Sequence, residues 1–153
     1  MTQTIAPIRK EIIVECPQER AFRVFTQRID AWWPREHHIG KVEMQSAVIE
    51  EKVGGRVYER GVDGSECEWG KVLLWEPPQR FVWSWQISAS WQYDPELITE
   101  VEVKFTPEGA KRTRVVLEHR NLERYGDAAV EIRKMLDQGW AGTMPLFAAV
   151  ATG

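Results

Sequence analysis

The apolar residues of this chain recur with two different periods, which together predict a sheet followed by one long helix. The segment from Ile8 to Glu15 mixes apolar and charged residues as a strand does, and helical spacing then covers residues 18–28. From Lys41 to His119 the period is two, interrupted by Gly-Gly, Asp-Gly and Pro-Pro turns. After Asn121 the period returns to about 3.6. The sequence therefore predicts one strand, one short helix, six hairpin-linked strands and one long helix.

The six later strands alternate so that one face of the predicted sheet is apolar. Residues 80–87 bring four large apolar side chains to one side: Phe81, Trp83, Trp85 and Ile87. In residues 66–76 the same period predicts a shared face for Trp69, Leu73 and Trp75. Alternation of this kind indicates an antiparallel sheet with one buried face, which another element must cover.

The last helix is the only large amphipathic element left to cover that face. Its apolar stripe consists of Ala129, Ile132, Leu136, Trp140, Thr143 and Phe147. Pro145 interrupts the pattern, and we expect a kink or a break near Thr143 because proline removes a helical hydrogen bond. The simplest arrangement is an α+β fold in which a strongly curved seven-stranded antiparallel sheet wraps around this helix, with a short helix after the first strand.

Length and charge restrict the protein class without identifying a function. The 153 residues match one domain, 1–153, and the net charge of -3 argues against a duplex nucleic-acid binder. The longest apolar run, 146–151, is far shorter than the roughly 20 residues of a membrane span. The first seven residues show no basic segment followed by an apolar core, and the two cysteines form no CxxC. These features predict a reduced, cytoplasmic chain with no membrane span and no nucleic-acid partner.

Several local strings, in this order and spacing, resemble a known family. They are Ala31-Trp32-Trp33-Pro34, Val53-Gly54-Gly55-Arg56-Val57-Tyr58-Glu59, Trp69-Gly70-Lys71-Val72 leading to Glu76-Pro77-Pro78, Phe81-Val82-Trp83-Ser84-Trp85, Glu118-His119-Arg120 and Gly139-Trp140-Ala141-Gly142. The resemblance is to the family named for the C-terminal domain of the activator of Hsp90 ATPase. That family lies within the helix-grip superfamily of Bet v 1, START domains and polyketide cyclases (SRPBCC). It implies a seven-stranded sheet gripping the last helix, with a cavity between them, and its name comes from co-chaperones.

A group of aromatic residues and one histidine form the candidate site. Trp83 and Trp85 share a strand face, and Trp140 lies on the helix stripe that should oppose them. These rings either pack as core or form the wall of a pocket, and both interpretations stay open. His119 is in phase with the inward residues of its strand, so it is either a hydrogen-bonded rim residue or a weak candidate for proton transfer. The candidate ligand-binding residues are Trp83, Trp85, His119, Leu136 and Trp140.

The other chemical signals are weaker. His37 and His38 are adjacent in a loop, where solvated side chains are the simplest interpretation, and we expect no metal and no cofactor. We favour a module that binds a small hydrophobic, aromatic or acyl molecule in the implied cavity. The alternatives are a co-chaperone-like module that modulates a protein partner, and a cyclase- or hydrolase-like enzyme that uses the same cavity. Of these, a role without catalysis is the simpler expectation, since only His119 suggests catalysis.

Overall fold

The computed structural model describes residues 5–153. The first four residues, on which the expectation about a secretory signal partly rests, lie outside them. The elements in chain order are β1 (Ile8–Val14), α1 (Gln18–Thr26), α2 (Ile29–Trp32), β2 (Met44–Ile49), β3 (Arg56–Gly61), β4 (Glu66–Glu76), β5 (Arg80–Trp85), β6 (Thr99–Gly109), β7 (Arg112–Arg120), a short 3-10 helix (Leu122–Ala128) and α3 (Ala129–Thr152).

The strands form one antiparallel sheet in the order β1-β7-β6-β5-β4-β3-β2. Strands β2 to β7 follow one another as a meander, and β1 joins the far edge by pairing with β7, where Ile8 lies opposite His119. The sheet curls into a half-barrel around α3. The predicted fold is confirmed: α+β, seven antiparallel strands, a short helix after the first strand and a long C-terminal helix.

The buried stripe of α3 holds the sheet and helix together. All six predicted stripe residues are buried: Ala129, Ile132, Leu136, Trp140, Thr143 and Phe147. Phe147 packs edge-on against Phe25 of α1, with ring centroids 5.0 Å apart, so the short helix closes one end of the same core. None of the helices in residues 5–153 is long and apolar enough to span a membrane.

Pro145 does not break α3, so of the expected kink or break near Thr143 the break is wrong, while the kink stays a prediction. The helix runs without interruption from Ala129 to Thr152. Pro145 and Ala141, whose carbonyl loses its helical partner, both lie on the exposed side, where water can hydrate that carbonyl. The Thr143 hydroxyl donates to the Gly139 carbonyl at 2.8 Å, so a side chain adds a bond within the same turns.

Strand β4 departs from simple alternation, and the expected common face of Trp69, Leu73 and Trp75 is wrong for Leu73. Register shifts occur on both sides of this strand, one against β3 and one against β5. Each bulge inserts one extra residue, so the inward residues are Trp69, Val72 and Trp75, while Leu73 is 43% exposed. Gly70 lies where β4 passes close to the backbone of β5, and an added Cβ would lie 1.7 Å from the Ser84 carbonyl oxygen.

Candidate functional site

A half-open cavity of about 570 Å³ lies between the sheet and α3. One side is formed by the loop after α2, residues 36–39, and the opposite side by the middle of α3 from Met135 to Thr143. Its floor is aromatic and comes from four tryptophans: Trp33, Trp69, Trp85 and Trp140. The cavity exists because the curved sheet and the straight helix diverge there, and rigid indole rings do not fill the gap.

Five indole rings form a closed circuit around the floor of the cavity. Going round, neighbouring ring centroids are 5.0 Å (Trp69–Trp33), 5.7 Å (Trp33–Trp140), 5.8 Å (Trp140–Trp85), 5.5 Å (Trp85–Trp83) and 6.4 Å (Trp83–Trp69) apart. The contacts are tilted or edge-on, as aromatic pairs prefer. The rings therefore brace one another and hold a rigid apolar surface towards the cavity.

His119 holds Trp140 in place from behind the wall. The Trp140 indole N–H donates to His119 Nδ1 at 3.2 Å, and His119 Nε2 lies 2.9 Å from the Thr99 hydroxyl. That hydroxyl donates to the Trp85 backbone carbonyl at 2.8 Å, so its oxygen accepts the Nε2–H. This chain of bonds requires a neutral imidazole with its proton on Nε2.

The environment of His119 keeps it neutral. The residue is fully buried, and this desolvation lowers the pKa of its imidazole from 6.5 to about 3. Both ring nitrogens are engaged within the protein, and the residue has no surface on the cavity. The geometry therefore gives His119 a positioning role towards Trp140.

The structure brings three of the five candidate ligand-binding residues to the cavity. Trp85, Leu136 and Trp140 line it, whereas Trp83 and His119 lie directly behind those walls. The two interpretations left open for the tryptophans both describe part of the structure. The rings contact one another as core residues do, and a void remains beside them.

Two loop residues of the site, Trp33 and Trp91, and one residue of α3, Met135, were not predicted from the sequence. Trp33, in the Ala-Trp-Trp-Pro string, is 6% exposed and forms part of the floor. Trp91, at the mouth, is a non-glycine residue with a φ of 62°, a left-handed conformation that a tight turn after β5 imposes. Met135 lies at the mouth and is half-exposed. The high tryptophan content of the sequence indicated that further indoles could belong to the site. Periodicity could not place them, because residues in loops follow no regular period.

Glu59 on β3 fixes the loop that forms one side of the cavity. Its carboxylate is 1% exposed and accepts the backbone N–H groups of Ile39 at 2.6 Å and Gly40 at 3.1 Å. It also accepts the indole N–H of Trp69 at 2.9 Å. A single buried carboxylate therefore ties the loop to the aromatic floor, which compensates for the cost of removing its charge from water.

Two indole N–H groups in the wall have no hydrogen-bond partner among residues 5–153. They are those of Trp83 and Trp85, both buried. Unpaired buried donors are uncommon because each forfeits the hydrogen bonds it makes in water. Both nitrogens are buried, so neither N–H is open to the cavity, although the Trp85 ring lines it.

Comparison with known proteins identifies the family. The family model described as "Activator of Hsp90 ATPase homolog 1-like protein" matches residues 15–151. A solved structure described as an anthrahydroquino-gamma-pyrone synthase, Txn09, complexed with SUM, is 43% identical, with 87% of this chain and 88% of that chain covered and a TM-score of 0.62. No curated protein matches this chain.

Two further solved structures show the same fold. CalC from Micromonospora echinospora, described as a self-sacrificing resistance protein, is 28% identical over 95% of this chain and 94% of its own, with a TM-score of 0.72. The Aha1 dimer from Colwellia psychrerythraea is 16% identical over 97% of each chain, with a TM-score of 0.67. The match of the family model over nearly the whole length is decisive: the chain belongs to the family of Activator of Hsp90 ATPase homolog 1-like proteins.

Proposed function

We propose that this protein binds a planar aromatic small molecule in the cavity between the sheet and α3. The observation that carries the proposal is the floor of four indoles beside a void of about 570 Å³. This volume falls within the roughly 300–1,000 Å³ of small-molecule sites. Flat, rigid rings stack on indoles at little entropic cost, whereas a flexible acyl chain must be ordered to fill the same space.

The 43% identical relative supports an aromatic ligand over an acyl one. That protein is described as an anthrahydroquino-gamma-pyrone synthase, and a compound of that name is a planar multi-ring aromatic. A protein-partner role, the second expectation from the sequence, is supported by the family name alone.

Binding can be tested with 2-methoxyanthraquinone as the aromatic probe and decanoate as the acyl probe. We expect saturable quenching of tryptophan fluorescence by the anthraquinone, confirmed by calorimetry, and weaker binding of decanoate. Trp140→Phe should weaken anthraquinone binding by about three- to tenfold, because an aromatic pair contributes about 0.5–1.5 kcal/mol. Trp75→Phe is the matched control, since Trp75 packs on Phe22 and Phe81 away from the cavity. Absence of saturable binding, or equal losses in the two variants, contradicts the proposal.

A second candidate function is ring closure on such a ligand. The 43% identity to a gamma-pyrone synthase favours it. A simple probe is 1-(2-hydroxyphenyl)butane-1,3-dione, whose phenol oxygen attacks the distal ketone to give 2-methylchromone and one water. Chromatography should show chromone formation above the buffer rate, and a rate equal to that of heat-denatured protein would exclude this activity for the probe.

A further inference from the structure

One end of the cavity is polar, and His38 is its best-defined group. His38 lines the cavity from the loop after α2, and its side chain is 27% exposed. Its Nδ1 lies 3.0 Å from the Gly40 backbone carbonyl. Because a carbonyl can only accept, Nδ1 carries the proton, and Nε2 of the neutral ring keeps a free lone pair. Nε2 makes no hydrogen bond to residues 5–153.

The buried carboxylate of Glu59 lies behind this imidazole. Its Oε2 is 3.9 Å from His38 Nδ1, and the same carboxylate holds the backbone N–H groups of Ile39 and Gly40. These bonds fix the backbone that carries His38, and the bond from Nδ1 to the Gly40 carbonyl orients its ring.

The neighbouring histidines are less suited to contact a ligand. His37 lines the same end but is exposed, and its ring lies edge-on to Trp33 at 6.3 Å. His119 has both nitrogens bonded within the wall. Of the three histidines, His38 alone combines a fixed orientation, a free nitrogen and a place on the cavity.

We propose that His38, oriented by Glu59, recognises a phenolic or enolic hydroxyl on the aromatic ligand. The hydroxyl donates to Nε2 while the ring system lies on the indole floor. A carboxylate in the same place is disfavoured, since Glu36 at the cavity and Glu59 behind it would repel its charge. This inference rests on the proposed function and specifies the ligand class further, as a hydroxylated planar aromatic.

The test compares three probes that share one ring system: 2-hydroxyanthraquinone, 2-methoxyanthraquinone and anthraquinone-2-carboxylate. We expect the wild-type protein to bind the hydroxy compound about five- to tenfold more tightly than the methoxy compound, the size of one net hydrogen bond. The carboxylate should bind most weakly. In His38→Leu the ratio of hydroxy to methoxy affinity should fall to about one, because the hydroxyl loses its acceptor. Glu59→Gln should reduce the same ratio, because an amide has one accepting oxygen and cannot hold the backbone N–H groups of both Ile39 and Gly40, so the loop that carries His38 loosens.

The outcomes separate this inference from the proposed function. If the wild-type protein binds the hydroxy and methoxy probes equally, or if His38→Leu keeps the preference, the role of His38 is wrong while aromatic binding stands. If the carboxylate binds most tightly, the assigned ligand class is wrong. If none of the three probes binds, the proposed function fails and this inference fails with it. Circular dichroism of each variant verifies that the fold is intact before affinities are compared.

Discussion

Acidification tests the buried hydrogen-bond chain behind the cavity. Burial lowers the pKa of His119 to about 3 in the folded chain, against an ordinary value of 6.5. Between these two values the unfolded chain binds a proton that the folded chain does not, so folding stability falls as the pH drops. The imidazole therefore leaves the free energy of unfolding unchanged above pH 6.5 and lowers it progressively as the pH falls towards 3. The linkage relation gives a loss of about 2 kcal/mol at pH 5 and about 3 kcal/mol at pH 4.

The assay is urea unfolding between pH 8 and pH 4, followed by circular dichroism. The carboxylates and the other histidines also titrate, so the wild-type protein is compared with His119→Asn, whose amide oxygen can replace Nδ1 as the acceptor for Trp140 and does not titrate. We expect the wild-type protein to lose about 2 kcal/mol more than the variant between pH 8 and pH 5. Parallel losses in the two proteins would refute a neutral, buried His119. An NMR titration of the imidazole gives an independent check, because its shifts should stay those of the Nε2–H form down to pH 4.5.

Three further predictions concern stability and the loop. Leu136→Ala should cost about 2–5 kcal/mol in urea unfolding, and a loss below about 0.5 kcal/mol would contradict the burial of this helix face. Gly70→Ala should lower the urea midpoint because its Cβ would meet the Ser84 carbonyl, whereas the control Gly142→Ala, with open space around it, should raise stability by up to about 1 kcal/mol. Glu59→Gln should speed amide hydrogen exchange at Ile39 and Gly40, unlike the exposed control Glu51→Gln; unchanged exchange would mean the carboxylate does not hold the loop.

Regular periodicity was sufficient to predict the architecture. Along β5 the inward face holds Phe81, Trp83 and Trp85 as expected, and the stripe of α3 is buried along its whole length. These elements follow their ideal periods because each has one apolar face and one continuous partner to pack against. The strand order then follows from hairpin connections between neighbouring strands.

Three features of the structure could not be predicted from the periods. The bulges of β4 change the inward spacing, so Val72 replaces Leu73 in the core, and bulges depend on how the whole sheet curves. The tolerance of Pro145 depends on which side of α3 faces water. The polar end of the cavity depends on a contact between His38 and Glu59 across 21 positions in sequence, which only the tertiary fold creates.

The closed circuit of five indoles also has an optical consequence. Chromophores whose centres lie 5.0–6.4 Å apart exchange excitation far faster than they emit, so light absorbed by any of the five becomes shared among all of them. An aromatic ligand that absorbs where indole emits, bound on the floor of the cavity, would accept excitation energy from all five rings. Three tryptophans lie outside the circuit: Trp32, Trp75 and Trp91. Of these, Trp32 contacts the circuit through Trp33, with ring centroids 5.9 Å apart. A ligand in the cavity should therefore quench most of the tryptophan emission, and not only the share of one tryptophan among the eight.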